Sequence, residues 1–193
     1  MSPLVETREI LDEIRTLFAD KGNDMYAGEP VSQTEHALQA ASAAEQEQAS
    51  PELITAALLH DVGHLLHKHS ADCAIQGIDD LHERIGAAWL KQHFPEAVTE
   101  PIRLHVDAKR YRCATDEEYL SRLSPASVLS LELQGGPFDA REQRQFENNP
   151  WCEEALRLRT WDEAAKIPGL ATPDLEYFLT FVQRVLEHPV DLN

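Results

Sequence analysis

Apolar residues recur at helical spacing along almost the whole chain, and this periodicity constrains the fold more than any other feature. In "LVETREILDEIRTLFADKG" one stripe carries Ile10, Ile14, Leu17 and Phe18. No segment shows the strict alternation of apolar and polar residues that predicts a β-strand, and no internal repeat is visible. The sequence therefore predicts an all-α fold of roughly eight helices in a single domain over 1–193, a length that suits one core.

Two helix starts are marked by capping residues. Ser32 is followed three residues later by Glu35, which is the signature of a capping box, so His36 lies in the first turns of a second helix. Ser50 is the expected N-cap of a third helix, and Pro51 suits its first position. This third helix, "SPELITAALLHDVGHLL", is predicted to run without a break.

The segment "GNDMYAGEPVSQ" interrupts the helical pattern with glycine and proline, which places Tyr26 and Glu29 on a loop. Further along, "DDLHERIGAAWLKQHF" is predicted as a helix with Ile85, Ala88 and Trp89 facing inward. The loop and this helix enclose the part of the chain that is richest in histidine.

The second half of the chain is also read as helical. "PEAVTEPIRLHVDAKRY" is predicted as a helix that Pro101 interrupts, and "SPASVLSLELQ" as an apolar helix that Ser124 caps. After the turn "GGP" come the helical segment "DAREQRQFENNPWCEEALRLRTWDEAAK" and a last helix, "PDLEYFLTFVQRVLEH".

Composition excludes several classes of function. With 34 acidic residues against 17 Lys and Arg, the net charge is −17, which repels nucleic acid and anionic membranes. No stretch of about 18 apolar residues occurs, and the acidic first segment does not resemble a signal peptide, so we expect a cytoplasmic protein. Cys73, Cys113 and Cys152 are widely spaced and odd in number, and are expected to be reduced thiols.

The stretch "AALLHDVGHLLHKHS" is the strongest chemical signal. Adjacent helical residues lie about 100° apart around the axis, so the two side chains of an "HD" pair can reach one metal ion. A single histidine or aspartate is more often a surface or hydrogen-bonded residue than a metal ligand. A series of such residues in a fixed order along the chain makes metal binding the better interpretation. Four imidazoles and two carboxylates from five segments suit iron, manganese or zinc. They are His36, His60, Asp61, His82, His105 and Asp162.

Three further side chains lie about one helical turn from a candidate ligand: His64, Lys109 and Arg159. Lys109 and Arg159 would place cationic groups beside the centre, which suits a dianionic ligand. For Arg159 a surface ion pair with Glu163 or Glu154 stays open as an alternative. His67 and His69 follow an apolar pair and are expected to be solvated.

The order His, His-Asp, His, His, Asp, with its core "ALLHDVGH", resembles the HD-domain superfamily of metal-dependent helical proteins. "YAGEPVSQTEH", "HVDAKRY", "LSPASVLSLELQGGP" and "LRTWDEAAK" are similar to one subset, the mixed-valence di-iron oxygenases of the PhnZ type, which are related to myo-inositol oxygenase. The similarity extends from about Tyr26 to Lys166. It implies two iron ions, Fe2+ and Fe3+, and O2 as co-substrate. The implied reaction cleaves the carbon–phosphorus bond of a 1-hydroxy-2-aminoethylphosphonate or an N-methylated relative, releasing phosphate and glycine or a glycine derivative.

The same resemblance implies roles for individual residues. One iron would be bound by His36, His60, Asp61 and Asp162, and the other by Asp61, His82 and His105, with Asp61 bridging. Tyr26, His64 and Lys109 would be catalytic, Tyr26 by capping the open coordination position until substrate displaces it. Glu29 would receive the substrate's amino group, and the phosphonate would contact His64, Lys109, Ser127, Ser130, Gln134 and Arg159.

Two other functions stay open at this stage. An HD-domain phosphohydrolase would use a similar metal centre to activate water against a small phosphoester or nucleotide. A degenerate HD domain that serves as a binding module is disfavoured because all six candidate ligands are present. The identity of the metal, the group on the substrate nitrogen and the oligomeric state are not fixed by the sequence.

Overall fold

A computed structural model describes residues 3–26, 28–66 and 77–188, with only the backbone of residues 3 and 4. His67, His69 and Cys73 lie outside the described residues. Within the described ranges the protein is all-α, as predicted, and an isolated antiparallel bridge joins Met25 to Ser32. The helices are α1 Pro3–Lys21, α2 Gln33–Gln46, α3 Pro51–Leu59, α4 Val62–Leu66, α5 His82–Leu90, α6 Glu96–Thr115, α7 Glu117–Arg122, α8 Pro125–Leu133, α9 Ala140–Glu147, α10 Cys152–Ala164 and α11 Leu175–Glu187.

The described part of the chain has eleven helices rather than roughly eight, because two predicted helices are each broken in two and a short one is added. The "HD" helix ends at Leu59, and α4 starts at Val62 after a turn, so His60 and Asp61 do not lie inside a continuous helix as predicted. The segment from Ala140 to Ala164 is split between α9 and α10, and α7 is the addition.

Two other predictions about helices are wrong. Pro101 does not interrupt α6, which continues for 20 residues because its buried face, including Val98 and Ile102, packs into the core. In α5 the residues Ile85 and Ala88 are exposed, whereas Trp89 is half-buried and packs against the core as predicted. The buried face of α5 instead includes His82 and Glu83, polar residues that a search for apolar periodicity passes over.

Helix α3 lies at the centre of the main core. All of its residues from Leu53 to Leu59 are buried, and α2, α6, α10 and α11 pack around it. Helix α6 also packs along α5 and α10, which brings the candidate ligands on α2, α5, α6 and α10 toward the turn after α3. No helix in the described ranges is long and apolar enough to cross a membrane.

Close packing between α4 and α5 depends on Gly63 in the "HDVGH" sequence. A Cβ atom at this position would lie 2.1 Å from the carbonyl oxygen of His82. Only glycine permits the two backbones to approach so closely, and the approach brings His82 next to Asp61.

Candidate metal centre

Four donor atoms converge from α2, the α3–α4 turn and α10. His36 Nε2 lies 3.0 Å from His60 Nε2, and it lies 3.4 Å from both Asp61 Oδ2 and Asp162 Oδ1. His60 Nε2 lies 3.4 Å from Asp61 Oδ2 and 3.8 Å from Asp162 Oδ1. Ligand atoms about 2.1 Å from one ion are about 3.0 Å apart at right angles and about 3.4 Å apart at tetrahedral angles. The separations therefore fit four ligands of one ion.

The two carboxylate oxygens of Asp61 face different donor sets. Whereas Oδ2 faces His36 and His60, Oδ1 lies 3.4 Å from His82 Nε2 and 3.6 Å from His105 Nε2. These two nitrogens are 3.2 Å apart. The geometry suits a carboxylate that bridges two ions, which is the position that the family resemblance implies for Asp61.

Backbone carbonyls fix the tautomers of three of the histidines. A carbonyl oxygen only accepts, so each Nδ1 must carry the proton, and Nε2 of the neutral ring presents a lone pair. The pairs are His36 with Ala165 at 2.8 Å, His60 with Ala57 at 2.9 Å and His105 with Ile102 at 2.7 Å. Nε2 lone pairs at such short separations repel one another unless a cation lies between them.

The charges of the centre also fit a metal ion. Both oxygens of Asp61 and Oδ1 of Asp162 are buried, and no hydrogen bond from the described residues reaches them. Burial alone would lower the pKa of His60, but the neighbouring carboxylates raise it to about 10. Burial lowers the pKa of His105 to about 3, so the four imidazoles cannot all be protonated near neutrality. A cation bound between these groups would satisfy the bare carboxylate oxygens and hold the imidazoles in their neutral form.

Asp80 connects His64 to His82. Its two oxygens each lie 2.8 Å from a ring nitrogen, Oδ2 from His64 Nδ1 and Oδ1 from His82 Nδ1, and the two rings stack. Burial would raise the pKa of Asp80, but the bonds from the two histidines lower it overall. The ionised carboxylate thus orients His82 so that Nε2 turns toward Asp61. Donor atoms of Asp61, His64 and His82 lie within 4.8 Å of one another, which places His64 at the edge of the centre.

Tyr26 lies over the centre from the loop between α1 and α2. Its ring stacks on His36 with a centroid distance of 3.8 Å and an interplanar angle of 12°, and it faces the edge of His64. Burial and the charges of Asp61 and Asp162 raise the pKa of Tyr26 well above its usual value. In the absence of a cation the phenol is therefore neutral.

Helix α8 supplies a polar wall beside the centre. Lys109 is only 4% exposed, and its Nζ donates to Ser130 Oγ at 2.9 Å. Ser127 lies one turn away on the same helix and is also buried. Gln134 ends the helix, and its Oε1 is buried without a hydrogen bond from the described residues. Of the predicted phosphonate contacts, Lys109 of α6 is thus hydrogen-bonded to Ser130 of α8, Ser127 lies one turn before Ser130, and Gln134 lies at the end of the same helix.

Arg159 is buried and its guanidinium is divided among three partners. Nε donates to the hydroxyl of Tyr119 at 2.7 Å, and the two terminal nitrogens pair with Asp162 Oδ2 and with Glu163. The alternative ion pair with Glu163 is present, but it is part-buried rather than on the surface, and the guanidinium shares it with Asp162. By holding Oδ2 of Asp162, Arg159 leaves Oδ1 facing His36.

Glu29 is tied to the same wall. Its Oε1 accepts from the hydroxyl of Ser124 at 2.5 Å and lies 3.3 Å from Lys166 Nζ. Lys166 also donates to Ser127 Oγ at 3.0 Å and to Glu163 Oε1 at 3.3 Å. These contacts join the Tyr26 loop to the start of α8 and to the end of α10.

Sequence reasoning missed three residues of this site: Asp80, Tyr119 and Lys166. Asp80 precedes a candidate ligand by two positions in "DDLH", so its position is the only signal that could have found it. Tyr119 and Lys166 carry no such mark, because each acts through a partner that is distant in sequence. They are revealed only by contacts made in the fold, of Tyr119 with Arg159 and of Lys166 with Ser127 and Glu29.

Together, the helical fold and the buried histidine and aspartate sets define a metal-binding all-α protein. The sequence model of the HD domain matches residues 34–139, and the chain belongs to the HD-domain family. This confirms the family expected from "ALLHDVGH".

Two curated relatives are named as phosphonate dioxygenases. A [1-hydroxy-2-(trimethylamino)ethyl]phosphonate dioxygenase (glycine-betaine-forming) of Leisingera caerulea is 44% identical over 92% of this chain and 91% of its own length. A hydroxymethylphosphonate dioxygenase of Gimesia maris is 48% identical over 89% of this chain and 86% of its own. An uncharacterized protein of Acanthamoeba polyphaga mimivirus is 31% identical over 88% of this chain and 80% of its own. The resemblance to PhnZ-type oxygenases is thus confirmed.

Proposed function

We propose that the protein is an iron-dependent oxygenase that uses O2 to cleave the carbon–phosphorus bond of a 1-hydroxyphosphonate. One O2 supplies one oxygen atom to the carbon, which becomes a carboxylic acid, and one to phosphorus, which leaves as phosphate. The observation that carries this proposal is the placement of two donor sets on the two oxygens of Asp61, beside a wall of buried serine and lysine. The names of the two dioxygenase relatives support it.

The proposed ligands of the two irons follow the two donor sets. They are His36, His60, Asp61 and Asp162 for one ion and Asp61, His82 and His105 for the other. When bound as a mixed-valence Fe2+/Fe3+ pair, the irons supply the redox chemistry between O2 and the hydroxyl-bearing carbon. The protein supplies binding, orientation and the exclusion of water.

The phosphonate is proposed to bind along the α8 wall. The ammonium of Lys109 neutralises one negative charge, while the hydroxyls of Ser127 and Ser130 and the amide of Gln134 hydrogen-bond the oxygens. Arg159 contributes positive charge from behind Asp162. Because Lys109, Ser127 and Arg159 are buried, their attraction for a dianion is stronger than at a solvated surface.

Tyr26 and His64 are proposed to control access to the irons. Tyr26 is stacked on His36, so it shields the first donor set from water until a substrate displaces it. His64 is held at Nδ1 by Asp80, which leaves its Nε2 for a substrate oxygen.

Glu29 is proposed to bind the end of the substrate that lies opposite the phosphonate. Its carboxylate suits a cationic amino group, as in 1-hydroxy-2-aminoethylphosphonate or an N-methylated relative. Glycine or an N-methylated glycine would then be the acid released.

A phosphohydrolase is the rival function, and dependence on O2 separates the two. The protein is reconstituted anaerobically with iron and mixed with 1-hydroxy-2-aminoethylphosphonate, hydroxymethylphosphonate or a simple phosphoester. We expect phosphate from the hydroxyphosphonates only after O2 is added, in equal amount to the O2 consumed. With 18O2 one label should appear in phosphate and one in the acid. Phosphate release from the ester without O2 would overturn the proposal.

A second test of the proposal uses the variant Asp61→Asn. It keeps the size of the side chain and removes the charge that both donor sets share. We expect it to lose the electron paramagnetic resonance signal of a coupled Fe2+/Fe3+ pair together with activity, by at least about a hundredfold. Retention of the coupled signal in this variant would remove Asp61 from the bridge.

A further inference from the structure

The ammonium of Lys166 is surrounded by acceptors from three segments. Within 3.3 Å of Nζ lie Glu29 Oε1 from the Tyr26 loop, Ser127 Oγ from α8 and Glu163 Oε1 from α10. An ammonium has three N–H groups, so these acceptors match its full donor capacity. The side chains of Lys166 and Glu29 are only 13% and 11% exposed, which protects their ion pair from screening.

This arrangement places a lysine where a cationic substrate would have to bind. The Glu29 carboxylate already accepts from Ser124 and pairs with Lys166, so its charge is balanced inside the protein. A ligand with a positive end competes with Lys166 for the charge of Glu29. A ligand without such an end leaves the pair intact.

We propose that Lys166 is the resident counter-ion of Glu29 and determines how strongly the site discriminates between hydroxyphosphonates with and without a cationic substituent. This inference rests on the proposed function, because it concerns the same binding wall. The names of the two relatives show that both kinds of substrate occur in this group, one with a trimethylamino end and one with none.

Displacement of Lys166 has a second consequence at the phosphonate wall. When a cationic end takes over the carboxylate of Glu29, one N–H of Lys166 is released while the ammonium stays on Ser127. That N–H is then free for a phosphonate oxygen bound at Ser127. Lys166 thus partly compensates for the broken ion pair, and the two ends of an aminated substrate are recognised by linked contacts.

Binding by the iron-loaded full chain, measured by anaerobic calorimetry, tests the proposal. The quantity compared is the Kd for hydroxymethylphosphonate divided by the Kd for 1-hydroxy-2-aminoethylphosphonate. In Lys166→Gln we expect this ratio to rise about tenfold, because Glu29 loses its internal partner and attracts the amino end unopposed. An unchanged ratio in a folded variant would overturn the proposal.

Three further variants separate the alternatives. Lys91→Gln removes an exposed lysine on another helix end and should leave the ratio within about twofold of the wild type. Lys166→Arg should lower the ratio, since a guanidinium binds a carboxylate through two hydrogen bonds. If Lys166→Gln does not fold, Lys166→Arg provides the test instead. In a Glu29→Gln background, Lys166→Gln should no longer raise the ratio. A rise there would mean that Lys166 opposes the amino end without acting through Glu29, and the proposal would be wrong.

The failure of this proposal is distinct from the failure of the proposed function. If the wild type binds neither phosphonate and releases no phosphate from either, the function is wrong and the role of Lys166 falls with it. If both ligands bind and the ratio does not respond to residue 166, only the role of Lys166 is wrong.

Discussion

Lys109 is a buried cation in a mixed electrostatic environment. Burial and the charge of Arg159 lower its pKa to about 7, while Asp162, Cys113 and Glu163 act in the opposite direction. Near neutral pH the free protein therefore contains both forms of this lysine. Only the protonated form attracts a phosphonate dianion.

We predict that phosphonate binding weakens as the pH rises through the pKa of Lys109. One pH unit above that value the charged fraction is about a tenth, so the Kd should rise about tenfold relative to a variant whose charge is constant. Lys109→Arg is that variant, and comparison with it cancels the ionisation of the phosphonate itself. A constant ratio of the two Kd values between pH 6 and 9 would contradict the assignment.

At the residue scale, the sequence best predicts the metal ligands, because clustered histidine and aspartate residues suggest metal binding by their type alone. His60 and Asp61 are adjacent, and His36, His105 and Asp162 lie in stretches that resemble the family, so their convergence could be expected. Asp80 and Lys166 could not be found in this way. A carboxylate or an ammonium has many surface roles, and its function here depends on partners that are brought close only by folding.

The break between α3 and α4 is the element that shapes the centre. Periodicity predicts one helix here, since "ITAALLHDVGHLL" is apolar enough to continue. The turn at His60 and Asp61 instead directs both side chains to donors on other helices, and such a turn leaves no trace in the spacing of apolar residues. Likewise, the inward face of α5 carries His82 and Glu83, so its register is set by the site as well as by the core.

We predict that Gly63→Ala disturbs the second donor set more than the first. The added Cβ would collide with the carbonyl oxygen of His82, so α4 and α5 must move apart at a cost of about 1–3 kcal/mol. The expected result is a Tm lower by several degrees and the loss of one of two bound irons, measured by calorimetry and metal analysis.

Ala88→Ser is the control for this variant, because it also adds one heavy atom to a small residue but on the exposed side of α5. It should keep both the Tm and the metal content. If Gly63→Ala also retains two irons, the close approach of α4 and α5 is not required for the position of His82.

On the scale of the whole molecule, the metal centre joins elements that are far apart in sequence. The donors come from α2, the α3–α4 turn, α5, α6 and α10, which pack around or beside the same core. The all-α class was predictable from periodicity, and the family from "ALLHDVGH". The packing of α10 against α6 and α2 was not, because it depends on shape rather than on pattern.

We predict that removal of metal destabilises the whole fold. A ligand present at about a hundred times its Kd adds about 2.7 kcal/mol, which corresponds to a Tm higher by roughly 5–10 °C in a protein of this size. Scanning calorimetry with and without a chelator measures the difference. In Asp61→Asn, chelation should change the Tm little, and an equal change in both proteins would show that the stabilising metal is bound elsewhere.

Ser124 makes two hydrogen bonds that together limit which substitutions position 124 tolerates. Its hydroxyl accepts from the backbone of Ser127 to cap α8 and donates to Glu29 at the same time, so one side chain serves a helix and a loop. Threonine has the same hydroxyl and can both cap α8 and donate to Glu29. Aspartate, which caps helices equally well, would set one carboxylate against another. Among descendants of this sequence, a substitution at position 124 that is neutral for the helix can therefore still be harmful to the loop.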